Sequence, residues 1–307
     1  MITTLARIVA RFAALLLVAS VLIFVLLRAV PGDPARIALG VSATDEAIAE
    51  LSAKLGTDRP LATQYADWMG GLLTGRFGVS MASGTDITPL VAERAGVSLT
   101  LTLVAMALSL AVAVPLGVYL ARREGRPDAA LVDVLTQLGI VVPSFLVGIL
   151  AVAVFSVRLG WLPANGWGTP AHLVLPALAL TLVQAAILTR YVHRAVRGEM
   201  GKDYVRTARA RGASIREVLF SRALKNAALP VLTVVGVQLS NLIVGAVVIE
   251  RVFTIPGLGT MLLSAVGNRD LTTVQTVMML LVAFTLVVNM VVDLLYAVID
   301  PRVRRQA

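Results

Sequence analysis

The residue types that could do chemistry are few and badly placed for it. His172 and His193 are the only imidazoles, they stand far apart, and no HExxH helix motif exists to hold a metal. There is no cysteine, which excludes thiol nucleophiles, thiolate metal sites and disulfides. Gly201-Lys202 has the end of a phosphate loop. Val196 stands where that loop needs its first glycine, and Asp203 where it needs Ser or Thr, so the match fails. The chain is read as non-catalytic, binding no cofactor and no nucleotide of its own.

The polar groups inside the apolar stretches are amides and hydroxyls: Gln137, Ser144, Gln184, Gln238, Ser240, Asn241 and Asn289. Acids occur only near the ends of such stretches, at Asp133 and Asp293. A buried amide either bonds a neighbouring helix or faces a polar path. Both readings stay open, and Gln137, Gln184, Gln238 and Asn241 are the candidates for a path. A path without a midplane charge must take its energy from elsewhere. Asn289 and Asp293, four residues apart, share a helix face and are read as packing.

The elements that must position these groups are set by composition. Of 307 residues, 58% are hydrophobic and 15% charged, where a soluble domain has about a quarter charged. Apolar runs of roughly 20 residues without alternation predict an all-α polytopic membrane protein. The spans fall at about 12–27, 98–121, 131–157, 173–191, 229–249 and 274–299. The first has a basic start but is too long, and too poorly followed, for a cleaved signal. Pro31-Gly32-Asp33-Pro34 ends it, with Arg28 reaching to the interface. A polar stretch to about Gly96 predicts helices from Thr44 or Asp45 to Leu55, stopped by Gly56, and from Gln64 to Leu73. Gly75 to Gly84 reads as a loop, and Trp161 and Trp167 suit a membrane interface. The division is residues 1–96, first span plus external loop, and 97–307, a five-helix core with a cytoplasmic loop at 194–228.

Eighteen of the 27 basic residues collect on one side if both termini are cytoplasmic, leaving the other side nearly neutral. Ten of those eighteen lie between 190 and 225, four of them in one stretch, Asp203 to Leu219. There Arg206, Arg209, Arg211 and Arg216 flank Gly212, with Tyr204, Val205, Ile215, Val218 and Leu219 among them. Two short helices meeting at a glycine able to take positive φ form an amphipathic elbow. Such an elbow suits a protein groove; a lipid surface is the second reading, and no fold for reading nucleic acid is present. The segment 251–270 has a turn at 253–259 and a short apolar helix at 260–266. It either dips into an outer vestibule or is an ordinary hairpin.

Asp203 to Gly212, with Leu229-Pro230 downstream, resembles the peptide-permease variant of the signature in integral membrane subunits of binding-protein-dependent ABC importers, the dipeptide/oligopeptide/nickel permease group. Only Ala208 matches the general EAA form, and Leu229-Pro230 comes late. Pro31-Gly32-Asp33-Pro34, Glu250-Arg251-Val252-Phe253 with Pro256-Gly257-Leu258-Gly259, Arg269-Asp270, Asp293 to Tyr296, and Asp300-Pro301-Arg302 resemble the same group in order. The resemblance implies a type I importer permease with six transmembrane helices in a bacterial cytoplasmic membrane. It also implies a homologous second permease, two cytoplasmic ATPases carrying ATP and Mg, and an external substrate-binding protein. The coupling residues it implies are Tyr204, Arg206, Thr207, Ala208, Arg209, Ala210, Arg211, Gly212, Ala213, Ser214 and Arg216. Peptides are the expected cargo, with nickel, haem or another small solute as alternatives. A secondary carrier and a membrane-anchored interaction protein without transport are the rival readings.

Overall fold

The computed structural model describes residues 2–29, 36, 39 and 43–299, with 2–4, 54, 55 and 299 described by backbone alone. The Pro31-Gly32-Asp33-Pro34 terminator and the Asp300-Pro301-Arg302 tail lie outside the described residues. Helix α1 (Ile2–Arg28) is followed by two short helices, α2 (Asp45–Leu55) and α3 (Leu61–Leu73). Thr44 caps α2 by accepting the Ala47 N–H at 3.3 Å, and Gly56 ends it at φ +69. The core comprises α4 (Thr88–Arg122), α5 (Pro127–Val141), α6 (Ser144–Ala151, running on as a π-helical segment Val152–Arg158) and α7 (Pro170–Met200). After α8 (Asp203–Ala210) and α9 (Ile215–Val218), a π segment Leu219–Ala223 leads into α10 (Leu224–Val252). The described chain ends with α11 (Leu258–Gly267) and α12 (Leu271–Ile299).

Five of these helical runs are long and apolar enough to cross a membrane, and the pair α5–α6 makes a sixth if counted as one bent span. That pair corrects the expectation of a continuous helix over 131–157: it bends by 97°. Pro143 cannot donate a helical hydrogen bond and drives Val142 to an extended conformation, φ −79, ψ 121. The fifth span also differs. It was expected to start at Leu229, but helix runs without a break from Ile215 to Val252.

What holds the bundle is a close crossing of α4 and α7. Ala105, Ser109, Ala113 and Gly117 recur every fourth residue on α4, and all are buried. Lipid gives no hydrophobic drive between helices, so small side chains that let backbones approach supply the attraction. At Gly117 the approach is closest: a Cβ there would lie 2.6 Å from the Val192 side chain and 2.9 Å from the His193 backbone nitrogen. Leu188, Val192 and Val196 of α7 fill the rest of the seam. Gly139 of α5 meets Ala186, and Gly236 of α10 meets Val292 of α12, by the same device.

At the periphery, α1 packs on α12 and buries only Ser20, Ile23 and Phe24 among its described side chains. Phe24 joins Tyr65 and Trp68 of α3 in an aromatic cluster, and Arg28 stacks over the Phe24 ring at 5.5 Å. Trp161 is exposed, as expected of an interfacial residue, whereas Trp167 packs on the core.

Replacing Gly117 by Ala should destabilise the folded chain by about 1–3 kcal/mol through overpacking. Gly245→Ala, where nothing lies within 4 Å, should be neutral or slightly stabilising. Thermal unfolding of the two variants in detergent compares them directly.

Candidate coupling interface

Chain chemistry forms the elbow at 203–218 locally. Asp203 opens α8 and Arg209 closes it, both with the favourable sign for the helix dipole. The helix stops at Gly212, whose φ is +90. The Ala213 N–H reaches the Ala208 carbonyl at 3.1 Å and the Gly212 N–H the Arg209 carbonyl at 3.0 Å, the paired bonds of a Schellman stop. Ser214 then starts α9, its hydroxyl accepting the Glu217 N–H at 3.2 Å. Gly212-Ala213-Ser214 therefore ends one helix and begins the next within three residues.

The elbow's apolar residues face inward. Val205, Ala208 and Val218 form a small core with Met200, Tyr204 and Ala213, and Leu219 is buried against α7 and α10. This corrects the picture of an apolar docking face: Val205, Val218 and Leu219 fix the elbow to its own base, and of the five only Ile215 is exposed. Below them lies a residue that sequence reasoning missed, Glu199 at the end of α7. It is buried, takes a 2.5 Å ion pair from Lys202, and accepts the Tyr204 hydroxyl at 2.9 Å. Burial pushes the Tyr204 phenol above its ordinary value, so it stays a neutral donor.

Of the expected coupling residues, Arg206, Thr207, Arg209, Ala210, Arg211, Gly212, Ser214 and Arg216 are exposed together on this bend. Tyr204 and Ala213 are half-buried and Ala208 is interior. Arg206 pairs at 3.5 Å with Asp203, and no ion pair to Arg209, Arg211 or Arg216 is present among the described residues. The face is cationic, exposed and rigidly framed, and its second arm continues as α10.

Among the described residues, the only hydrogen bond that joins two of the four path candidates is the one between Gln238 and Asn241. Gln137 is exposed and bonds Asp133 at 2.8 Å within α5. Gln238, half-buried, accepts from exposed Asn241 at 3.3 Å on α10. Gln184 alone is buried, on α7, with its amide nitrogen unpaired among the described residues. Asn289 is exposed on α12, and Asp293 lies 4.0 Å from Arg11 of α1.

At the opposite end of α10 two buried carboxylates make a clamp. Glu250 accepts from Ser98 of α4 at 2.5 Å and from the Thr260 N–H of α11 at 3.1 Å, while the Leu258 N–H donates to Ser98 at 2.8 Å. A Cβ on Gly257 would collide with the Glu250 carboxyl at 2.3 Å, and one on Gly259 with Val247, which explains both glycines of the motif. Asp270 caps α12 and also takes Ser80 at 2.5 Å and the Met81 N–H at 3.0 Å. The 251–270 segment is thus packed into the bundle, with Leu258, Met261 and Ala265 buried.

A family model described as "Binding-protein-dependent transport system inner membrane component" matches residues 113–305, and a companion model for the N-terminal part matches 1–112. A chain from Sinorhizobium fredii named "Probable peptide ABC transporter permease protein" is 35% identical over 97% of both chains. The glutathione transport system permease protein of Salmonella typhimurium is 36% identical over 94% of both. Among solved structures, the inward-facing MetNI methionine ABC transporter matches at a TM-score of 0.61, with 19% identity, 70% of this chain and 98% of that chain covered; it shares the fold.

Glu250→Ala would leave the Ser98 hydroxyl and Thr260 N–H buried without their acceptor, at about 1–3 kcal/mol each. In a Met261→Cys background, which has a single thiol because the chain has no other cysteine, maleimide labelling should then speed up several-fold. Unchanged labelling would show that the clamp does not hold α11.

Proposed function

This chain belongs to the inner-membrane component family of binding-protein-dependent transport systems, and from that premise we propose how it works and what it carries. It is a multi-pass permease subunit of an ABC importer. Our reading is that its cargo is peptides, since relatives 35–36% identical over nearly the whole chain are named for peptide and glutathione transport. Its companions are then a second, homologous permease, two ATPases holding ATP and Mg, and an external binding protein. The basic end faces the cytoplasm and the Glu250–Asp270 clamp faces outward.

The observation that carries the mechanism is the continuous helix from Ile215 to Val252. An ATPase that grips the exposed arginines around Gly212 has a direct mechanical link into the fifth span. The first arm is joined as closely, through Gly201-Lys202, to α7 and so to the α4–α7 seam. When ATP closes the ATPase pair, the elbow is displaced with its seat and both helices tilt. The four exposed arginines favour a seat lined with carboxylates. The grip must differ in strength between inward- and outward-open states, because equal contacts in both would shift neither. The chain supplies no chemistry of its own: its side chains bind, transmit and line.

Gly212→Val should abolish substrate-stimulated ATP hydrolysis by the assembled transporter while leaving insertion intact. A β-branched residue at positive φ costs roughly 1–3 kcal/mol and displaces the bend. Gly125→Val is the control, since Gly125 has φ +80 and nothing within 4 Å but lies outside the elbow. Normal stimulation in the Gly212 variant would refute the coupling role. The cargo is tested by uptake of labelled di- and oligopeptides against nickel and haem, with loss of peptide uptake alone expected on deleting this chain.

A further inference from the structure

An open groove of about 360 Å³ lies between α5 and α7, lined by Ile140, Ile187, Arg190, Tyr191 and Arg194. It lies on the basic half of α7, where Arg190 and Arg194 begin the cationic run that continues into the elbow. Neither arginine has an acidic partner among the described residues. Arg197, one turn on, is by contrast satisfied by Glu124 at 2.7 Å. Asp133 of α5 accepts from Gln137 in its own helix and makes no ion pair with either arginine.

The geometry points to a binding site for the headgroup of an anionic phospholipid. Two free guanidinium groups match a phosphodiester. The tyrosine supplies the amphipathic ring suited to headgroup depth. The floor made by Ile140 and Ile187 accepts the start of the acyl chains, an apolar contact that a free anion would not need. Basic pockets between helices at the cytoplasmic leaflet bind such headgroups, and the volume lies within the range of small-molecule sites. A lipid seated there would bridge the first half of the bent span to α7.

Native mass spectrometry of the full chain in detergent, with phosphatidylglycerol or phosphatidylcholine added, tests this independently of transport. Phosphatidylglycerol should be retained in preference. Arg190→Gln with Arg194→Gln should weaken its binding roughly twenty- to thirty-fold, at about a factor of five for each cation near an anionic surface. Arg190→Lys with Arg194→Lys should keep most of the binding, and Arg126→Gln with Arg222→Gln should leave it unchanged. Equal retention of the two lipids, or full binding by the double glutamine variant, would overturn the assignment. So would displacement by inorganic phosphate alone, or by a tripeptide with a free carboxyl terminus but not its amide, which would place the groove on the transport path. If the glutamine variant does not fold, the lipid comparison on the wild-type and lysine chains still decides.

Discussion

The fold depends on the seam where α4 and α7 approach through Ala105, Ser109, Ala113 and Gly117. In water, burying large apolar side chains would supply the attraction. In lipid that term vanishes, and what remains is close contact between backbones, with interhelical hydrogen bonds such as that from the Thr181 hydroxyl to the Ala105 carbonyl at 3.3 Å. The other core helices attach to this pair. α5 attaches through Gly139 on Ala186. α6 attaches through Gly148, which meets Phe253 and Ala179, and α10 through Leu242, Ala246 and Ile249 in the same buried cluster.

The two ends of this framework are held by different means. At one end, Glu250 and Asp270 each bind several donors, so α10, α11, α12 and the loop before α4 are joined by buried polar bonds that are costly to break singly. At the other end the elbow rests on a small apolar core and one Glu199–Lys202–Tyr204 network. Along the continuous helix from Ile215, a π segment at Leu219–Ala223 precedes α10 and Pro230 lies inside it, both places where the regular α-helical hydrogen-bond pattern is altered. A firm outer clamp, a compact elbow and a pliable stretch of helix between them suit a part that must receive displacement at one end and shift packing at the other.

Gln184 illustrates how polar groups are used inside such a bundle. Its carboxamide is buried with the nitrogen unpaired among the described residues, while half-buried Gln238 and exposed Gln137 and Asn241 bond neighbours on their own helices.

The sequence alone determined the helical membrane class, the approximate positions of the four spans other than the third and fifth, and the elbow's stop and start. These are local properties: apolar run length, the sign of charge between runs, and the Gly212-Ala213-Ser214 stop-and-start need no distant neighbour. Gly56 and Thr44 were legible for the same reason. The small-residue stripe on α4 had no reading in the sequence, because only contact with α7 distinguishes it from lipid-facing alanines. Tertiary structure decided the rest. Pro143 was in plain view, yet whether a proline kinks a span gently or turns it through 97° depends on what receives the second half. Glu250 with Ser98 and Asp270 with Ser80 meet across more than 150 residues of chain, and Glu199 meets Tyr204 only because the elbow folds back on its base. Hydrogen bonds and packing between distant segments have no signature in spacing, so the clamp, the elbow's inward-facing apolar residues and the groove at Arg190 and Arg194 emerged only with the fold.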